Sequence, residues 1–359
     1  MKVIDLIRNS KSTAFSFEIL PPLKGNSIQK VYNVIDKLKE FDPKYINITS
    51  HHSEFVYKTL PDGSFQKVNI RKRPGSVAIA SAIQNKYGIP AVPHIICKGF
   101  TKDETEYALI DLNFLGVNNL LILRGDIKTL EASQQNPELY HDHATDLQQQ
   151  VNHFNEGIAL DGSKIDGIET PFSYGMACYP EKHEEAPNME SDIYYLKEKV
   201  KNGAEYLVTQ MFFDNKKYYA FVDRCRAEGI TVPIIPGIKP IVFKNQLTVL
   251  PKIFRADIPE PFATELRKCK DDAEAKEVGV EWCIQQCKDL IAHGVPSLHF
   301  YTMMASDSVY KIAKELHSPY NTIKQEVQCR TEYLYAGTDF MCDGGATASY
   351  YYGPLKPNN

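Results

Sequence analysis

At 359 residues, 43% of them hydrophobic, the chain is long enough for a sizeable core, as two ordinary domains or one large α/β barrel. A net charge of −4 argues against nucleic acid or an anionic membrane as partner, since both reward clustered Lys and Arg; chemistry on a small molecule is the better expectation. The opening "MKVIDLIRNSKST" breaks every apolar pair with a polar or charged residue and no long apolar run follows, so a soluble cytoplasmic protein with no leader or membrane span is expected.

The first strand is expected over 14–20, "AFSFEIL", where Glu18 sets a carboxylate inside an apolar run. A helix follows with Ile28, Val31, Ile35 and Leu38 on one face. After a strand at 45–49, residues 53–75 exceed the simple unit, and Asp62-Gly63 suggests the turn of a hairpin. A strand at 91–97 leads to "TKDE", Thr101 to Glu104, which resembles a capping box opening another helix. Further strands are expected at 119–124, 173–178, 205–210, 232–237 and 297–302, with long polar connections at 127–172 and 239–272. Five units share one grammar of helix, glycine and short apolar run, and Gly88, Gly116, Gly203, Gly229 and Gly294 suit the left-handed position that ends a helix.

The runs are rich in Val, Ile and Leu on both faces, which fits a parallel sheet covered by helices or closed on itself. Eight strands is the closing number of a (β/α)8 TIM barrel; the rival, a doubly wound open sheet, lacks its GxGxxG after the first strand. One domain is therefore expected over 1–320, with 321–359, "YLYAG" to "CDGGATASYYYGP", as an appendage without helical period and a candidate for disorder. The eight cysteines form no CxxC pair and read as reduced core residues, Cys283 and Cys287 on one helix face included. "CYPEKHEE" contains ligand types but no paired motif, so no metal is expected.

In such barrels the site lies at the carboxyl ends of the strands. There this sequence places Glu18, Thr49, His94, Asp126 of "LRGD", "CYPEKH", Thr209, Gln210 and Tyr301. Each has a plainer explanation: Glu18 in a structural ion pair, His94 as a satisfied core histidine, Asp126 as a cap, Gln210 bonded to backbone at a strand end. The basic run Arg71, Lys72, Arg73 reads as a solvated patch before a phosphate contact. Convergence of so many polar strand ends on one mouth favours a functional site. Desolvation alone is expected to raise the pKa of Glu18, so that it holds a proton near neutral pH.

With those residues in hand, the chain resembles the methylenetetrahydrofolate reductase family from about residue 14 to 316. The likeness rests on "FSFEILPP", "PHIICKGFT", "LGVNNLLILRGD", "YPEKHEEAPNMESD", "GAEYLVTQMFFDN", "PIIPGIKPI" and "GVPSLHFYTM", in order and spacing. The resemblance implies non-covalent FAD, reduced by NADH or NADPH, and a second hydride transfer that turns 5,10-methylenetetrahydrofolate into 5-methyltetrahydrofolate, the two substrates alternating at one flavin face. Matched by motif, Glu18 is the general acid, Asp126 lies beside the flavin and contacts the pterin, and Gln210 and Tyr301 serve the substrate. Thr49, His94, Arg124, Gly125, Tyr179, His183, Asp192 and Lys199 match flavin-contacting positions. A homo-oligomer is also implied. The chain departs from the family at Met304-Ala305-Ser306, where a basic residue is common, which puts folate orientation in question. The competing functions are a flavin-free pterin-binding methyltransferase barrel and a non-catalytic barrel that binds a partner.

Overall fold

The computed structural model describes residues 1–125, 136–303 and 305–317. Residues Met1–Leu316 form one compact unit; the expected appendage at 321–359 lies outside the described residues. The barrel strands are β1 (Ala14–Ile19), β2 (Tyr45–Ile48), β5 (Ala91–Ile96), β6 (Asn119–Leu123), β7 (Ser173–Cys178), β8 (Tyr206–Thr209), β9 (Ile234–Ile235), β10 (Gly237–Ile238) and β11 (Ser297–Tyr301). They run parallel in the order β10-β11-β1-β2-β5-β6-β7-β8-β9. The seventh expected strand is thus two short pieces. Pro236 has no N–H to donate and breaks the run, yet its carbonyl accepts from His299 N at 3.0 Å. With β9 pairing β8 and β10 pairing β11, the sheet closes into the (β/α)8 barrel.

The helices around it are α2 (Gln29–Leu38), α3 (Ser76–Tyr87), α4 (Lys102–Phe114), α5 (Ala144–Asn155), α6 (Met189–Lys201), α7 (Asn215–Ala227), α10 (Asp272–Ala292) and α11 (Ser306–Leu316). Val31, Ile35 and Leu38 of α2 are buried as their spacing requires. Thr101 and Glu104 form the reciprocal capping box. All five expected helix-ending glycines have φ between 66° and 113°. The hairpin is β3 (Glu54–Thr59) paired antiparallel with β4 (Phe65–Ile70); Gly63 takes φ 81° and Asp62 Oδ1 accepts from Ser64 N at 2.9 Å.

Three parts differ from expectation. The described part of 127–172 contains α5, whose Leu147, Val151 and Phe154 sit in a polar background that hides their spacing. Residues 239–272 fold as α8 (Gln246–Phe254) and α9 (Glu260–Lys268), despite Pro251 inside the first; Leu250, Phe262 and Leu266 pack there with Met211, Phe213 and Ile241. At the start of the chain, α1 (Val3–Arg8) buries Val3, Ile4 and Ile7 against Tyr45, Val92, Leu121, Tyr206, Val208 and Ile235, so it plugs the amino-terminal floor of the barrel. Asn119 fixes it by accepting from Val3 N at 2.9 Å. Among the described residues no helix is long and apolar enough to cross a membrane.

The barrel interior is filled to contact. Gly175 of β7 leaves room for the Tyr206 ring, and a Cβ there would lie 2.3 Å from it. Gly175→Val is therefore expected to lower the stability by about 1–3 kcal/mol or more through overpacking, read as a urea midpoint. Gly175→Val combined with Tyr206→Val is expected to be less destabilised than the sum of the single changes, because the second removes the clash.

Candidate active site

The strand tips open into one cleft of about 1250 Å³. That exceeds the roughly 300–1,000 Å³ of a usual small-molecule site, so it has room for more than one ligand. Residues of β1 and its neighbours alternate between the outer helices and the interior. The register places Ser16 beside His299 and Glu18 beside both Asn47 and Tyr301.

Glu18 is 5% exposed and lies at the floor of the cleft. Its Oε2 stands 3.6 Å from His94 Nε2 and 3.5 Å from His299 Nε2. Ser16 Oγ is 2.9 Å from His299 Nδ1; with the serine hydroxyl donating, the ring proton sits on Nε2 and faces Glu18. The backbone carbonyl of Glu18 accepts from the Thr302 hydroxyl. Burial is the largest influence on Glu18 and pushes its pKa up. His299, His94 and Lys239 together outweigh it, and the carboxyl lies below its ordinary value. The expectation that desolvation alone keeps Glu18 protonated is therefore corrected: the carboxylate is ionised where basic groups surround it. His94 behaves in the complementary sense, since burial pushes it down to about 4 and leaves it neutral. Burial also lowers Lys239.

Of the other expected residues, Thr49, Arg124, Gly125, Tyr179, His183, Gln210 and Tyr301 line the same cleft. Thr49 Oγ1 meets His51 Nε2 at 3.0 Å. Arg124 donates from Nε to Asp142 O and pairs with Glu185. The Tyr179 and His183 rings meet edge to face, centroids 4.7 Å apart. Gln210 turns its Oε1 back to accept from Met211 N at 2.9 Å. Tyr301 donates to Thr209 O at 2.6 Å and sets its ring edge-on to His299. Asp192 and Lys199 do not line the cleft. Asp192 Oδ2 accepts from His183 N at 2.8 Å and Lys199 donates to Ala177 O at 3.2 Å, so both stand behind cleft residues. Asp126 and Met304 lie outside the described residues.

Sequence reasoning missed His299 and Lys239. They lie in "SLHFY" and "PGIKPI", and the available signal was alternation: His299 shares the inward face of its strand with Tyr301. Asn47 is a third, fully buried beside Glu18, and among the described residues neither of its amide atoms has a hydrogen-bond partner.

Arg124, Lys182 and His183 give the cleft cations and donors of the kind that could hold an anionic cofactor, while His94 Nε2 and His299 Nε2 face Glu18. Fold and cleft together define a (β/α)8 barrel with a polar ligand site at its strand tips. A profile described as methylenetetrahydrofolate reductase matches residues 2–317. The chain belongs to the methylenetetrahydrofolate reductase family. It is 30% identical to the 5,10-methylenetetrahydrofolate reductase of Escherichia coli over 84% of this chain and 90% of that protein. It is 29% identical to a probable methylenetetrahydrofolate reductase (NADPH) of Caenorhabditis elegans, covering 87% of this chain but spanning only 43% of the worm protein's length. Among solved structures, a Clostridium thermocellum protein described as binding two copies of 5-methyl-5,6,7,8-tetrahydrofolic acid shares the fold, with a TM-score of 0.54 at 16% identity over 87% of this chain and 98% of that one.

A base held at a depressed pKa takes up protons on unfolding, so between about pH 6.5 and 4 the unfolded state binds more protons at His94 and stability falls as pH falls. His94→Gln is expected to remove up to about 3 kcal/mol of that pH dependence, seen as a flatter plot of urea midpoint against pH across this window.

Proposed function

We propose that this chain reduces 5,10-methylenetetrahydrofolate to 5-methyltetrahydrofolate, using FAD bound in the cleft and NADH or NADPH as donor, the two substrates taking turns. Family membership supports the substrate and reaction. The observation that carries the chemistry is Glu18, a buried carboxylate between His94 and His299 at the floor of a cleft with room for more than one ligand.

When bound, the flavin supplies acceptance and donation of a hydride. Thr49, His94, Arg124, Gly125, Tyr179 and His183 are the residues proposed to hold it, with Asp192 and Lys199 supporting them from behind and Asp126 beside it. Gln210 and Tyr301 bound the space for the folate. Glu18 Oε2 delivers the proton that opens the five-membered ring of the folate. For that it must first gain one. It takes that proton from solvent while the mouth is open; ligands that then fill the mouth remove its remaining slight exposure, and this added desolvation favours the protonated form. Ser16 holds His299 so that its Nε2 faces the carboxyl through the cycle.

The purified chain is expected to be yellow, to oxidise NADH or NADPH with a quinone as acceptor, and to pass those reducing equivalents to methylenetetrahydrofolate. Glu18→Gln should keep reduction of the flavin by nicotinamide while folate reduction falls by about 10² to 10⁴. A preparation that takes up no FAD, or a Glu18→Gln variant with both half-reactions at full rate, sinks the proposal.

A further inference from the structure

The hairpin β3–β4 is no part of the barrel and has no role in the reaction above, yet Lys67, Asn69 and Arg71 on or just after its second strand line the cleft. Its root is fastened on two sides. Lys24 N donates to Lys72 O at 2.7 Å and Arg73 donates to Pro21 O, both in the loop after β1. Arg71 approaches Glu104 of α4 at 3.5 Å, and Lys72 pairs with Glu54. Just before β3, His52 lies so close over Gly99 that a Cβ on that glycine would sit 2.2 Å from its Cβ. The hairpin is thereby anchored to the β1 and β5 side of the mouth, next to Arg124, which follows the neighbouring β6, and two strands away from Tyr179 and His183, which follow β7.

The register of the hairpin sorts its residues. Tyr57 opposes Lys67, Thr59 opposes Phe65, and Val56 opposes Val68. Directly opposed residues and every second residue share a face. Tyr57, Phe65, Lys67 and Asn69 therefore project together, while Val56, Val68 and Ile70, all partly buried, take the other side. Tyr57 is 60% and Phe65 71% exposed. The two rings share the face of the cleft-lining Lys67 and extend that face of the hairpin beyond the residues that line the cleft. Aromatic rings interleaved with cations suit a planar aromatic group that carries an anion: the ring stacks and the carboxylate or phosphate meets Lys67 and Arg71.

The geometry points to the hairpin as a second subsite, which binds the distal aromatic and anionic end of a substrate whose reacting end lies at Glu18. This rests on the proposed reading of the cleft. Two ends have that chemistry: the aminobenzoyl-glutamate of the folate and the adenosine phosphates of the nicotinamide dinucleotide.

The test uses the full chain and two double variants, Lys67→Glu with Arg71→Glu, and Tyr57→Ser with Phe65→Ser, each checked for flavin content. kcat/KM is measured for NADH and NADPH with a quinone as acceptor, and for methylenetetrahydrofolate carrying one or three glutamates. Both variants are expected to lose tenfold or more in kcat/KM for one substrate, chiefly through KM, and Lys67→Arg with Arg71→Lys is expected to regain most of the loss. A loss that deepens with glutamate number assigns the subsite to carboxylates; one that is larger for NADPH than NADH assigns it to phosphates. Full kcat/KM for every substrate in both variants, or an equal fall for all of them, overturns the subsite. If the unaltered chain turns over neither substrate, the reading of the cleft fails by itself. Calorimetric titration with adenosine diphosphate and aminobenzoyl-triglutamate then decides the subsite: fivefold weaker binding of either probe by the Lys67, Arg71 variant supports it, and equal binding of both removes it.

Discussion

A carboxylate with almost no access to water has to be answered by groups that its own strand cannot supply. Glu18 is answered by His94 in β5, His299 in β11 and Lys239 after β10. Taking an ion out of water costs several kcal/mol, and that cost is offset only when its partners are correctly placed. Much of the upper barrel serves this placement: Ser16 orients His299, Tyr301 packs across the His299 ring, and Thr302 binds the Glu18 carbonyl. Any close relative that changed one of these groups would need to adjust the others.

The parts legible in the sequence were those with local causes. Five strands were visible because their apolar run follows a helix that a glycine ends, and α4 because Thr101 and Glu104 cap it through neighbouring backbone. The hidden parts have distant causes. Six residues of α1 show no period, and their burial depends on Tyr45, Leu121 and Tyr206 meeting beneath them. The two helices of 239–272 draw their order from a small separate cluster with Met211 and Phe213.

The site divides in the same way. That polar residues late in the strands would gather at one mouth follows from barrel geometry, and Glu18, Thr49, His94, Arg124, Tyr179 and Tyr301 do line one cleft. The charge state of Glu18 was not legible, because it depends on basic groups from strands far along the chain. Nor could spacing show that Asp192 and Lys199 face the backs of His183 and Ala177 and not the opening. The plain explanation offered for Gln210, a bond to backbone at a strand end, describes one of its contacts, and the residue borders the cleft as well.

The pairing of β1 with β11 has a consequence for synthesis. The first barrel strand finds its second neighbour only in residues 297–301, so a growing chain carries an unsatisfied sheet border until nearly all of the barrel has left the ribosome. During that interval Glu18 has neither His299 nor Lys239 beside it and remains in water, where its charge is cheap. Ring closure and burial of the acid are thus one late event, and a truncated product that stops short of β11 would present both a sticky seam and an unshielded cleft floor.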